Sequence, residues 1–236
     1  MKDAKNTVQI SYFSDILCVW AYLSQIRVDE LKEKFGKKLE IRYHFITLFG
    51  CTPARIGKGW QAKGGYDGFC RHILDVCKDY PHVMVNPDVW KTCRPFSSGT
   101  GHLFLKAVQN MEDAQTISNK EVSDFKNRTV FEELAWRVRA AFFKDAIDIG
   151  RLSNLFKIAE QIRLPIAEIE KQINSGEAMA ALCADMELKT ANNLEGSPTY
   201  LLNRGRQKLY GNVGYRVIEA NVLELLERKS NIASWC

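Results

Sequence analysis

Two stretches near the N-terminus, residues 7–13 and 39–46, alternate apolar and polar side chains in the manner of β-strands. Between them, residues 22–35 repeat apolar positions with a helical period and stop at Gly36. This pattern predicts a strand, a helix of about four turns and a second strand. Such a βαβ unit places its two strands in parallel with a right-handed crossover.

The pattern changes after residue 52, where a loop rich in Gly and Lys precedes a series of amphipathic runs. Asp and Ser-Gly sequences mark the starts and stops of several of these runs, which favours helices over strands. The predicted helices cover residues 69–78, 101–111, 130–144, 151–161, 165–175 and 177–192.

Strand patterns return near the C-terminus at residues 199–202 and 207–210, joined by a turn that contains Gly205. A final helix is predicted over residues 214–228. The order βαβ, helical block, ββα predicts an α/β chain with a thioredoxin fold and a large all-helical domain inserted after the second strand. Residues 1–50 and 193–236 would form the thioredoxin-like domain, and residues 51–192 the inserted helical domain.

Composition narrows the function classes. The 236 residues are 46% hydrophobic, enough for a substantial core, and the net charge of +5 is spread too evenly to indicate nucleic acid. The charged N-terminal residues contain neither a secretory signal nor a membrane span. We therefore expect a cytoplasmic protein with no nucleic-acid or membrane partner, whose seven cysteines are reduced thiols.

Cys18 follows the first predicted strand and opens the predicted helix. Unpaired amides in the first helical turn stabilise a thiolate, so this position predicts a pKa below the ~8.5 of a free thiol. The residue three positions later is Ala21 rather than the second cysteine of a C-x-x-C motif. Cys18 is thus the candidate nucleophile without a neighbouring resolving thiol, and Trp20 within the motif is a candidate substrate contact.

Gly196, Ser197, Pro198 and Thr199 directly precede the third strand. Proline is tolerated at the start of a strand, and only X–Pro bonds adopt the cis form with appreciable frequency. The residues alone leave the cis and trans forms open.

The combination of these segments resembles the DsbA-like thioredoxin superfamily over nearly the whole chain. Within it, the chain is most similar to FrnE-like oxidoreductases, kappa-class glutathione transferases and 2-hydroxychromene-2-carboxylate isomerases. The resemblance lies in residues 12–15 followed by Cys18-x-x-Ala21-Tyr22, in 139–143 with 148–149, in 175–178 and in 196–200.

The resemblance implies a cis bond between Ser197 and Pro198 beside Cys18, with the Ser197 backbone pairing with a bound thiol compound as an added strand would. It also implies that Asn212, Val213 and Gly214 anchor the γ-glutamyl end of glutathione, where backbone amides at a helix start receive a carboxylate. Transferase-like relatives carry an Asp near position 213, which this chain lacks.

The motif departs from both branches of the resembled family. FrnE-like oxidoreductases have Cys at the place of Ala21, whereas the transferases and isomerases have Ser at the place of Cys18. A mixed disulfide at Cys18 would need an external thiol such as glutathione, or the distant Cys236, to release it. Glutathione is therefore the expected cosubstrate, with small thiols, small disulfides or protein disulfides as substrates.

Three hypotheses follow. The first is a monothiol thiol-disulfide oxidoreductase, the second a glutathione-dependent transferase or isomerase, and the third a non-catalytic thioredoxin-fold binding protein; each is compatible with a homodimer. Lys58 and Trp60, in the loop after the second strand, either meet a substrate carboxylate or belong to a solvated loop. Cys70, His72, Cys77 and His82 lack the spacing of zinc ligands, so no metal is expected.

Overall fold

A computed structural model of the chain describes residues 7–125, 127–227 and 234. Its sheet has four strands in the order β2-β1-β3-β4. β1 pairs in parallel with β2 and antiparallel with β3, which in turn pairs antiparallel with β4. This is the predicted mixed sheet of a thioredoxin fold. The strands are β1 (Val8–Ser14), β2 (Leu39–Phe45), β3 (Thr199–Leu202) and β4 (Gln207–Tyr210).

The described α-helices agree with the predicted ones to within a few residues, apart from the first. They are α1 (Val19–Leu23), α2 (Gln25–Phe35), α3 (Gly65–Cys77), α4 (Gly99–Asp113), α5 (Val130–Phe143), α6 (Leu152–Glu160), α7 (Ile166–Asn174), α8 (Glu177–Ala191) and α9 (Tyr215–Glu227). Residues Pro53–Lys58 form a π-helical turn between β2 and α3. None of the described helices combines the length and apolar character needed to cross a bilayer.

The helix predicted between the first two strands begins after Cys18, as predicted, but it is not continuous. Helix formation begins at Val19, and Ser24 separates α1 from α2. The Ser24 hydroxyl donates to the carbonyl of Ala21 at 3.2 Å and is hydrogen-bonded to the buried Tyr12 hydroxyl at 3.0 Å. A serine that bonds to nearby backbone carbonyls competes with regular helix geometry, which accounts for the break.

One hydrophobic core connects the sheet with the helices of the middle segment. Tyr22 of α1 stacks on Trp136 and Phe143 of α5, with ring centroids 5.3 and 4.8 Å apart. Stacked aromatic rings at this distance contribute beyond the area that they bury. Helix α1 is therefore packed directly against α5, one of the helices between β2 and β3. The division into domains at residues 1–50, 51–192 and 193–236 stays a prediction.

A buried ionic cluster fastens the helices to the outer strand β2. Asp185 of α8 accepts the Phe45 amide, contacts Nδ1 of His44 and pairs with Nζ of Lys106 on α4, each at 2.7 Å. Lys106 also donates to Gln109 at 2.8 Å. Burial lowers the pKa of Lys106 although the Asp185 carboxylate acts against that shift. The cluster satisfies backbone groups on the free edge of the sheet, which would otherwise be open to pairing with another chain.

This cluster yields a stability prediction. Asp185→Asn leaves Lys106 buried without a counter-charge and should lower the free energy of unfolding by roughly 3–5 kcal/mol. Urea denaturation followed by circular dichroism measures the change. The double variant K106M/D185N removes the cation as well and should recover part of the loss.

Glu187→Gln on the exposed face of the same helix is the matched control, for which we expect little change. An Asp185→Asn variant as stable as the wild type would show that the buried charges do not hold α4 and α8 to β2.

Candidate active site

Cys18 lies at the junction that the sequence predicts, between the end of β1 and the start of α1. Its carbonyl accepts the Tyr22 amide at 3.1 Å, and its own amide donates to the carbonyl of Asp15 at 3.1 Å. The residue is only 6% exposed. Its thiol donates a hydrogen bond to the carbonyl of Ser197 at 3.3 Å. The sulfur is thus held between a helix start and the loop before β3.

The loop before β3 has a fixed backbone. The peptide bond between Ser197 and Pro198 is cis. The Ser197 hydroxyl accepts the Asp15 amide at 2.9 Å, and the Pro198 carbonyl accepts the Gly211 amide at 2.9 Å. These two bonds tie the loop to the Cys18 segment on one side and to the end of β4 on the other. The Ser197 carbonyl consequently faces the sulfur.

The Asp15 side chain organises the loop that leads to Cys18. It is fully buried, and its two oxygens accept the amides of Leu17 and Phe49, each at 2.8 Å. The Ser98 hydroxyl donates to the same carboxyl group at 2.9 Å. Asp15 therefore connects the active-site loop to the segment after β2 and to the start of α4.

Asp15 keeps a negative charge near the thiol. Burial acts to raise the pKa of Asp15, but the side chain of His102 and the amides of Phe49 and Leu17 together bring it below its ordinary value. His102 also accepts the Ile16 amide on Nε2 at 2.9 Å. The active-site loop is thus held by two side chains, Asp15 within it and His102 from α4.

The lowered pKa that the helix start predicts for Cys18 is wrong. Burial raises the pKa of the Cys18 thiol, and the charge of Asp15 adds to that effect. The side-chain hydroxyl of Ser197 and the amides of Ala21 and Trp20 act in the lowering direction but do not outweigh burial. The helix start therefore offers amides to the sulfur, as predicted, but burial of the site disfavours the thiolate relative to the thiol.

A cleft of about 280 Å³ opens over Cys18. Its walls carry several apolar side chains, and its rim carries polar and charged side chains from both sides. The apolar wall residues are Leu48, Phe49, Phe69 and Ile73, and the rim residues include Arg55, His72, Glu195 and Tyr210. A cleft that combines apolar walls with polar groups around a reactive atom is typical of a small-molecule site.

The structure brings together only part of the predicted set of site residues. Cys18, Trp20 and Ser197 line the cleft, and Pro198 is buried directly behind Ser197. Trp60 lies one layer outside, with its ring 4.9 Å from that of Phe69, and Lys58 is exposed away from the lining. The predicted contact of these two residues with substrate has no support in this geometry.

Arg55 and His72 line the cleft, where the sequence predicts Lys58 and Trp60. Arg55 and Lys58 belong to the same basic stretch, but the π-helical turn at residues 53–58 turns Arg55 towards the cleft and Lys58 away from it. A π-helical turn leaves no clear trace in hydrophobic periodicity, so the choice among neighbouring cations could not be made from sequence.

The predicted glutathione anchor lies at the turn between β4 and α9. Asn212 donates from Nδ2 to the Tyr80 hydroxyl at 2.6 Å, and the Tyr80 ring meets Trp20 edge to face at 6.3 Å. The Val213 amide donates to the Gly211 carbonyl at 2.9 Å and is therefore engaged within the turn. Gly214 is exposed. Cys236, the predicted distant resolving thiol, lies outside the described residues.

Possible metal ligands are scattered. Within residues 7–125 and 127–227, no group of three or more His, Cys, Asp or Glu side chains is arranged to hold a metal ion.

No protein-family model matches the sequence. Among curated proteins, no sequence is significantly similar to it.

Solved structures share the fold over almost the whole chain. A probable DsbA oxidoreductase from Streptomyces coelicolor has a TM-score of 0.69 at 14% identity, covering 97% of this chain and 94% of its own. The cytosolic disulfide reductase DsbM from Pseudomonas aeruginosa has a TM-score of 0.64 at 18% identity, with coverages of 92% and 99%, and has also been solved with GSH. A 2-hydroxychromene-2-carboxylate isomerase reaches 0.58 at 16% identity, with coverages of 96% and 100%.

The coverages and TM-scores show that the fold as a whole is shared, including the helical segment between the second and third strands. The chain therefore has the α/β thioredoxin fold with a helical insertion between its second and third strands.

Proposed function

We propose that the chain is a cytoplasmic monothiol thiol-disulfide oxidoreductase with Cys18 as its nucleophile and glutathione as its cosubstrate. One observation carries this proposal: the Cys18 thiol lies in a cleft and is hydrogen-bonded to the Ser197 carbonyl, while the position three residues after it holds Ala21 instead of a second cysteine. The fold shared with disulfide oxidoreductases supports it. Substrates would be small thiols and disulfides, or protein disulfides.

In the forward step, the Cys18 thiol gives up its proton to solvent and the thiolate attacks one sulfur of a disulfide. A bond forms between Cys18 and that sulfur, the substrate S–S bond breaks, and the leaving thiolate takes up a proton. Once Cys18 has lost its hydrogen, the Ser197 carbonyl no longer accepts a bond from it. That carbonyl is then free to pair with an N–H of the bound thiol compound, as an added strand would.

Release of the mixed disulfide needs a second thiol, because position 21 holds no cysteine. Glutathione would attack the adduct and expel Cys18 as the leaving group. A thiol with a raised pKa leaves slowly, so the mixed disulfide at Cys18 should accumulate. Ser197, Pro198 and Trp20 would contact its cysteinyl part, and the turn with Asn212, Val213 and Gly214 its glutamyl end.

A second candidate function, a glutathione transferase or isomerase, is favoured by the protonation state of Cys18. A thiol kept protonated by burial can donate a hydrogen bond to a bound glutathione thiolate, as a serine hydroxyl would. If Cys18→Ser still adds glutathione to 1-chloro-2,4-dinitrobenzene at the wild-type rate, this function replaces the first. Inertness in this assay and in disulfide exchange would leave a non-catalytic binding protein.

Glutathionylation at Cys18 is the first test of the proposed function. Cys51 and Cys183 are exposed and would also react, so the experiment uses the variant C51S/C183S. After incubation with glutathione disulfide, intact mass spectrometry should show one glutathione per chain, and peptide mapping should place it on Cys18. Adding Cys18→Ser to this background should abolish the adduct.

The contradicting result is a Cys18 that stays unmodified in C51S/C183S, while the wild-type chain treated in the same way is modified at Cys51 or Cys183. Such a sample would contain active oxidant and a folded chain, so the failure would belong to Cys18.

The pH dependence of Cys18 alkylation follows from its burial. Because burial raises the thiol pKa, the thiolate fraction should grow only above the ordinary value of ~8.5. The rate of iodoacetamide labelling of Cys18, followed by peptide mass spectrometry in C51S/C183S, should have its midpoint at a higher pH than that of the urea-unfolded chain. A midpoint at lower pH would show an activated thiolate in the free protein.

A further inference from the structure

Two opposite charges stand on the rim of the Cys18 cleft. Arg55 comes from the π-helical turn after β2, where its guanidinium lies 4.8 Å from the centre of the Phe49 ring. Glu195 comes from the other side, two residues before Ser197. Both side chains are exposed and both line the same cleft. Each reaches the rim on a segment that is itself fixed next to Cys18.

Neither charge is neutralised by the protein. Across the described residues, no carboxylate lies within 4 Å of the Arg55 guanidinium, and no basic group lies that close to the Glu195 carboxylate. Their neighbours differ in this respect, since Arg94 pairs with Asp67 and Lys208 donates to two backbone carbonyls. The two rim charges are available to a ligand.

The backbone before Ser197 fixes the second half of this rim. A Cβ atom at position 196 would lie 2.7 Å from the Tyr210 hydroxyl, so Gly196 is required for the Tyr210 ring to rest against the loop. The ring stays 54% exposed and lines the cleft with Glu195. Glu195 therefore lies directly before a loop whose backbone is held close to this ring.

Resting on the function proposed above, we propose that Arg55 and Glu195 select disulfides that carry both a carboxylate and an ammonium group near the sulfur. The planar guanidinium of Arg55 would receive the carboxylate in a bidentate manner, stacked on Phe49. Glu195 would receive the ammonium group.

Charge complementarity at a cleft rim acts on encounter and orientation, whereas the apolar walls act on every substrate alike. The exchange step is the same for each disulfide: a bond forms between Cys18 and one substrate sulfur, the substrate S–S bond breaks, and the released thiolate is protonated by solvent. Differences in reaction rate among disulfides of similar size therefore measure the effect of the rim charges.

The test measures the second-order rate of mixed-disulfide formation at Cys18 in the C51S/C183S background. The probes are 3,3′-dithiodipropionate (anionic), cystamine (cationic), bis(2-hydroxyethyl) disulfide (neutral) and glutathione disulfide. All rates are divided by that of the neutral probe, which cancels changes in thiol reactivity.

Arg55→Gln should lower the relative rate of the anionic probe about fivefold, and Glu195→Gln that of the cationic probe by a similar factor, the size expected for an exposed ion pair. Glutathione disulfide should lose rate in both variants. Lys157→Gln on exposed α6, outside the cleft, is the matched control and should change none of the ratios.

Relative rates that stay the same in Arg55→Gln and Glu195→Gln would overturn this proposal while leaving the oxidoreductase function intact. A wild type that fails to react even with the neutral probe would instead overturn the proposed function itself. The two failures are thus distinguishable within one set of measurements.

Discussion

The hydrogen bond from the Cys18 thiol to the Ser197 carbonyl joins parts of the chain that are 179 residues apart in sequence. Each end of this bond has its own support. The side chains of Asp15 and His102 hold the loop before Cys18. Hydrogen bonds donated by the backbone amides of Asp15 and Gly211 hold the loop around Pro198. The sheet brings these loops together because β1 lies between β2 and β3. The fold thereby places one sulfur against one carbonyl at the cleft.

Burial gives Cys18 a chemistry different from that of an activated cysteine at an exposed helix start. A raised pKa reduces the thiolate present at neutral pH, but the thiolate that forms is more nucleophilic and a poorer leaving group. A single thiol of this kind is suited to forming a lasting mixed disulfide. The missing partner at position 21 and the buried environment at position 18 therefore act in the same direction.

The order of strands and helices could be predicted from sequence because it depends on local periodicity and on capping residues, as at Gly36 and in the Gly-containing hairpin turn. The position of Cys18 followed from the same patterns. The raised pKa of Cys18 could not be predicted from sequence, because it depends on how deeply the rest of the chain buries the thiol. The choice among the cations near the rim could not be made from sequence either: Arg55 rather than Lys58 lines the cleft, because a π-helical turn sets their directions. Sequence patterns describe elements well and long-range burial poorly.

Catalysis by the single thiol of Cys18 is tested most directly by isotope exchange between labelled glutathione and unlabelled glutathione disulfide. A single thiol that both attacks the disulfide and is released by glutathione must transfer label through a mixed disulfide at Cys18. We expect the protein to accelerate the exchange, with labelled and unlabelled glutathione both found on Cys18 in quenched samples. Exchange no faster than without protein, or equal exchange in the Cys18→Ala variant, would contradict catalysis by this thiol.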